Sequence, residues 1–378
     1  MKKLCNIFLV LAIIGVVCMR FTFAPQKSEN NLFVDGVVSA SLYGNKHIIN
    51  RQGEIVATIE TDAYDHTISG FGTDGLAVYF TYDYYESGLP KMDFGAVNTK
   101  GEMVIDLEYD YILQFSDGIA AAAKNGKFGY IDTNGNTVID FIYEDARSFN
   151  DGSIAPVRIE KRYGYINKQG EIVIERQFDK AGTVVNGIAV AANGRLVKAW
   201  SEERGDYMAT EKEHYIINDK TREIITVAYD EVADFAENGL AAVREATLYG
   251  YIDKNGEEVI APQFIEAGEF SEGLAPVKTQ NEKWCYINEQ GEIVMEFENT
   301  MKLGSFSNGL AWIVNEQREY GYINTDGEMV IEQKFRYNGA ERDFYDDGYA
   351  VVEKSIGKYG VIDKEGNFIL EPIYDWIG

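Results

Sequence analysis

The segment Gly239 to Gly273, GLAAVREATLYGYIDKNGEEVIAPQFIEAGEFSEG, sets the construction of the chain. Within it Tyr249, Gly250, Tyr251, Ile252 and Asp253 run into Lys254, Asn255 and Gly256, then into Glu257, Glu258, Val259 and Ile260. This order reads as strand, tight turn, strand, because Asn-Gly supplies the positive φ that a short hairpin needs. A second signal opens another short strand: Asn238-Gly239 followed by Leu240 and Ala241.

Both signals recur along the chain. The first turn ends at Gly53, Gly101, Gly135, Gly170, Gly256, Gly291, Gly327 and Gly366, with Thr221 or Arg222 standing in where one copy carries a longer turn. The second places its glycine at Gly36, Gly75, Gly118, Gly152, Gly187, Gly239, Gly273, Gly309 and Gly348, always after Asp, Asn or Glu. Copies usually lie about 34 to 36 residues apart. Such a period marks a repeat array whose units are too small to bury their own apolar faces.

Two further columns follow from the geometry of the unit. Ahead of the first-turn glycine stand Asn50, Asn98, Asp132, Asn167, Asn218, Asp253, Asn288, Asn324 and Asp363, each preceded by Ile or Val. A side chain that bonds its own turn backbone, next to a buried β-branched residue, accounts for both features. After the second turn come Ala77, Ala120, Ala155, Ala189, Ala241, Ala275, Ala311 and Ala350, with Val38 in the first copy. A small side chain suits close approach of neighbouring strands.

These residues resemble the WG-repeat family of bacterial proteins, whose units carry an aromatic-Gly pair, a strand, a turn with Gly and a second strand. The pair stands here as Phe94-Gly95, Phe128-Gly129, Tyr163-Gly164, Tyr249-Gly250, Tyr320-Gly321 and Tyr359-Gly360. The chain uses Tyr or Phe instead of Trp, and His47, Tyr215 and Cys285 occupy the glycine position of three copies. The resemblance implies a repeated β-structure, frequently exported, with no shared catalytic centre.

The expected fold is all-β: about nine small antiparallel units spanning residues 33–378, closed into a propeller-like ring or open as a spiral. The usual propeller has four to eight blades, so nine units leave both forms in play. The chain begins with the second half of a unit and ends with the first half of one, as closure by strand pairing requires.

The formal net charge is −26, and without residues 1–24 the body carries 32 basic and 61 acidic side chains. A field of that sign repels phosphate polymers, which argues against nucleic acid as a partner. Cys5 and Cys18 lie in the leader, leaving Cys285 as a small packing residue and no disulfide framework. Lys2 and Lys3 ahead of an apolar run from Leu4 to Met19 have the form of an export signal. Residues 4–24 are also long enough to serve as an uncleaved anchor. The expected location is extracellular or at the cell envelope, with residues 25–32 as a linker and membrane contact only through the leader.

Chemistry-bearing motifs are sparse. No zinc helix, phosphate loop, nucleophile elbow or EF-hand occurs, and neither cofactor nor metal is expected. His47 and His214 sit at strand positions of the repeat. Asp343 to Gly348 offers oxygens for calcium, but its last residues are the ordinary repeat turn. Two copies are stretched: 26 residues separate Gly75 from Gly101, and 35 separate Gly187 from Arg222, against 17 between Gly118 and Gly135. Insertions in repeat proteins map to one face, often the binding face.

The sequence therefore points to a non-catalytic scaffold that binds a protein or polysaccharide partner through Tyr82, Tyr84 and Tyr85 of the first insertion and Trp200 and Arg204 of the second. The alternative is a cell-surface, carbohydrate-active hydrolase using carboxylates that break the repeat: Asp83 with Glu86, Glu202 with Glu203, and Glu341 with Asp343. A spacer that merely holds the C-terminus at a distance is the third reading.

Overall fold

A computed structural model describes residues 31–59, 65–84, 90–150, 152–201, 205–340 and 342–378. Among them there is no helix. Nine antiparallel sheets follow one another as blades 1 to 9, over residues 37–59, 65–109, 111–143, 145–178, 180–227, 231–264, 266–297, 300–336 and 350–374. Blade 3 shows the plan: a first strand of two residues, Tyr111–Ile112, then Ile119–Lys124, Lys127–Asp132 and the edge strand Thr137–Tyr143. Blade 1 takes its first strand from the other end of the chain, where Trp376–Ile377 pairs antiparallel with Val37–Leu42. The array is thus a closed ring of nine, not an open spiral.

The turns form as their side chains dictate. Each Asn or Asp of the first-turn column accepts N–H bonds from its own turn, as Asn167 does from Gln169 at 3.1 Å and Glu171 at 2.9 Å. The same two-bond pattern recurs at Asn50, Asn98, Asp132, Asp253, Asn288, Asn324 and Asp363, while Asn218, in the longer turn, accepts from Lys220 and Thr221.

The acid or amide before the second-turn glycine does more than shape its turn: among the described residues, each one reaches the next blade. Asp35 accepts from the Thr99 hydroxyl (3.2 Å), Asp74 from the Gly118 N–H (3.2 Å), and Asp117 pairs with Lys168. Asn150, next to Asp151, which lies outside the described residues, donates to Thr183 (2.9 Å). Asn186 donates to the Phe235 carbonyl (2.7 Å) and Asn238 to Glu289 (3.0 Å), while Glu272 accepts from the Gly309 N–H (2.9 Å). Asn308 donates to the Tyr345 carbonyl (2.8 Å). The circuit closes where Asp347 of blade 9 accepts the N–H groups of Leu32 (3.3 Å) and Phe33 (3.0 Å), beside Arg51 at 3.8 Å.

Burial follows the same circuit. The described core divides into nine apolar clusters, each straddling one interface between adjacent blades, and the last joins Leu32, Phe33, Val38, Ala40, Ile49 and Ile377 to Val361, Leu370 and Tyr374. Every alanine of the repeat column is at most 1% exposed and sits in one of these clusters, where a larger side chain would hold the blades apart. Buried tyrosines add a polar tie. Tyr130, Tyr165, Tyr251, Tyr286 and Tyr322 each donate a hydroxyl to a carbonyl of the following blade, at 2.7 to 3.0 Å.

The aromatic-Gly column also has a steric cause. A Cβ added at Gly95, Gly129, Gly164, Gly250, Gly321 or Gly360 would fall 2.1 to 2.7 Å from a carbonyl oxygen of the neighbouring edge strand. In all six blades that edge strand bulges opposite the glycine and pushes its backbone inward. The three exceptions share the opposite arrangement. His47 pairs regularly with Thr58, Tyr215 with Thr226 and Cys285 with Glu296, on shorter edge strands of 5, 4 and 5 residues. Pro262 and Pro372 lie inside edge strands at these bulges, where no ladder N–H is needed.

Because neighbouring strands alternate in direction, the first-to-second and third-to-fourth turns share one face of the ring. The second-to-third hairpins and the links between blades share the other, called the hairpin face below.

Candidate functional site

Both insertions elongate second-to-third hairpins, so both emerge on the hairpin face. In blade 2 the paired strands are Leu76–Tyr84 and Pro90–Asn98, nine residues each, and in blade 5 Ile188–Ser201 and Gly205–Asn218, fourteen each. Against the six-residue strands of blade 3 these project about 10 Å and about 26 Å further at ~3.3 Å per residue. Three blade steps separate them, a third of the way round the ring.

Of the residues singled out in the insertions, Tyr82, Tyr84 and Trp200 lie on strands that run out to this face, the first two in blade 2 and the third in blade 5. Tyr82 is half-buried, in register with Asp65 on one side and Met92 on the other. The backbone of Tyr84 pairs with Pro90, and that of Trp200 with Asp206. Tyr85 and Arg204 lie outside the described residues, as do Glu86, Glu202, Glu203 and Glu341. Of the carboxylates named for hydrolysis, Asp343 accepts the Trp312 indole N–H at 2.9 Å and so holds a core side chain.

The imidazoles and the thiol are packed among strands. His47 meets the Thr58 hydroxyl at 2.9 Å and His214 the Tyr229 carbonyl at 3.0 Å, and burial lowers the pKa of both. Cys285 is buried and free, with its thiol pushed up to about 11 by burial. Among the described residues no group of three His, Cys, Asp or Glu side chains is placed to hold a metal. Asp234 and Glu269 stand at matching positions of blades 6 and 7, before Phe235 and Phe270. Crowding by protein, and then the Glu269 charge, raises the Asp234 carboxyl above its ordinary value.

A feature the sequence reading missed lies on the same face, between blades 8 and 9. A groove of about 390 Å³ is lined by Gln317, Arg318 and Glu319 of one hairpin, Lys334, Phe335, Arg336 and Tyr337 at the end of an edge strand, and Lys354 of the next blade. Its basic character has a local origin. In four other blades the link begins with an acid that caps the next hairpin: Asp110 on the Gly126 N–H, Glu144 on Lys161, Asp179 on Gly194 and Asp230 on Ala246. Arg336 takes that position before blade 9, and the cap comes instead from Glu353, 1% exposed, which accepts from the Gly357 N–H (2.9 Å), Arg336 (2.9 Å) and Asn338 (2.6 Å). Among the described residues blade 9 has three strands.

Lys334 and Lys354 lie over the Phe335 and Phe368 rings, each at 5.4 Å, and among the described residues neither they nor Arg318 pair with a carboxylate. The signal was present as Arg318, Lys334, Arg336 and Lys354 in an acidic chain. Only folding brings the four together.

Comparison with known proteins bears on the fold. The repeat described as WG containing repeat matches residues 94–128, 128–163, 163–194, 216–246, 249–284, 320–357 and 359–378, more than half of the chain. No curated protein matches in sequence. The crystal structure of the eukaryotic initiation factor superposes with a TM-score of 0.60 over 90% of this chain and 96% of that one, at 9% identity. Porphyromonas gingivalis dipeptidyl peptidase 4 superposes with a TM-score of 0.50 over 89% of this chain and 58% of that one, at 10% identity.

Proposed function

This chain belongs to the WG-containing repeat family, and from that premise we propose that it is a non-catalytic, exported scaffold that binds a protein or polysaccharide at the cell envelope through its hairpin face. The observation that carries this reading is the emergence of both elongated hairpins on one face of a rigid ring. A closed ring with nine apolar interfaces holds two projecting arms at a fixed separation, which lowers the ordering cost of binding a partner that spans them. The leader, residues 1–24, supports export by its basic start and apolar run.

Shortening both hairpins tests the proposal. Arg195–Glu211 and Tyr82–Met92 are each replaced by Asn-Gly, and retention on isolated cell envelopes is measured by co-sedimentation. The shortened protein is expected in the supernatant and the parent in the pellet; equal retention overturns the role of the arms. Export is tested by fractionation, and full-length chain in the soluble cytoplasm with Met1 attached counts against it.

A further inference from the structure

We infer that the groove between blades 8 and 9 binds an anionic saccharide, one carrying carboxylate or sulfate groups among its hydroxyls. Three observations converge there. Four cations from three separate segments, Arg318, Lys334, Arg336 and Lys354, line one groove in a chain whose net charge is −26. Arg318, Lys334 and Lys354 leave their charge without a carboxylate partner among the described residues, whereas acids are abundant elsewhere. Arg336 stands at a link position held by acids before blades 3, 4, 5 and 6, and Glu353, which pairs with it and caps the hairpin from within blade 9, is buried, so the cap sets no exposed carboxylate in the groove.

The remaining lining narrows the ligand. Gln317 and Glu319 offer an amide and a carboxylate, which suit hydroxyl groups as donors and acceptors. Glu319 also sets a hydrogen-bond acceptor inside the groove, which a sugar hydroxyl can meet by donating and a carboxylate side chain of an acidic peptide cannot. Phe335 and Tyr337 are buried at 0% and 7% exposure, so recognition rests on charge and hydrogen bonds and not on ring stacking. The inference stands apart from the two long hairpins, and the hairpin-shortened protein keeps the binding.

Calorimetric titration of the full chain tests it, with four probes: an oligogalacturonate, a heparin-derived oligosaccharide, a neutral cello-oligosaccharide and an oligoglutamate peptide. One of the two charged saccharides is expected to bind, more weakly as salt rises, and the better of them identifies the anionic group. K334Q/K354Q is expected to weaken that binding roughly tenfold or more, while Lys127→Gln, on the hairpin of blade 3, leaves it unchanged. Circular dichroism of the double variant confirms that the ring still forms. Binding of neither charged saccharide, equal binding by the double variant, equal binding of the neutral probe, or tighter binding of oligoglutamate would each overturn the inference.

Discussion

Alanine at Gly321 tests the steric reading of the aromatic-Gly pair. The added Cβ would lie 2.1 Å from the Ile331 carbonyl oxygen, 2.7 Å from the Glu332 carbonyl carbon and 2.8 Å from the Gln333 nitrogen. All three are backbone atoms of the bulged edge strand, so no side chain can swing away. Relief requires the bulge to retreat, which strains the packing of Ile331 and Phe335, 2% and 0% exposed, in the interface with blade 9. Overpacking of this kind costs about 1–3 kcal/mol, and a lost ladder bond adds roughly 1 kcal/mol, for a total of about 2–4 kcal/mol. Cys285 is the control, because its edge strand pairs regularly with it and already accommodates a side chain. Cys285→Ala is expected to cost about 1 kcal/mol or less, the scale of a small change of buried volume. Both variants are compared with the parent by urea unfolding, followed through tryptophan fluorescence. If Gly321→Ala is no more destabilising than Cys285→Ala, the bulge does not explain the glycine.

Other consequences follow from the ties between blades. Ending the chain at Tyr374 removes Ile377, 6% exposed, and the N–H bonds from Asp375 to Ser41 and from Gly378 to Ser39; the expected loss is about 3–5 kcal/mol, and thermal unfolding unchanged by the truncation would contradict it. Asp347→Ala strands the N–H groups of Leu32 and Phe33 and is expected to cost about 1–3 kcal/mol, with hydrogen exchange at those amides rising first. Tyr286→Phe breaks a buried bond of 2.7 Å to the Gly304 carbonyl, at a cost of about 1–3 kcal/mol read from urea midpoints. The Asp234 carboxyl is raised in the folded protein from its ordinary 3.8, so the folded state holds that proton longer and stability falls as pH rises through the window above 3.8. Asp234→Asn is therefore expected to stabilise the protein at neutral pH and to lose that advantage below the ordinary value, in melting curves taken across pH.

Much of this architecture can be read from local chemistry. Asn167, for example, announces its own turn because a short amide bonds backbone two and four residues on, without help from elsewhere in the chain. Ala275 announces close packing, though not what it packs against. The limits appear where the cause is distant. Glu272 looks like a turn residue, yet its carboxylate binds the Gly309 N–H of the next blade. Closure rests on Ala40 meeting Ile377 across nearly the whole chain, which the half-units at the two ends allow but do not by themselves dictate.

Nor does the sequence alone say why Cys285 replaces a glycine, since the reason is the missing bulge opposite it. The basic groove was hidden for the same reason, because Arg318 and Lys354 are 36 positions apart and meet only when blades 8 and 9 stand side by side.

The closed ring is tested most directly by a spin-label distance across the seam. Cysteines at Asn45 of blade 1 and Ile356 of blade 9, in a Cys5→Ser/Cys18→Ser background with Cys285 buried, are compared with cysteines at Lys127 and Arg162 of blades 3 and 4. Closure predicts a narrow distribution at the seam, of the same order as that between blades 3 and 4. A seam distance several blade widths longer, or one spread broadly over many separations, would contradict it.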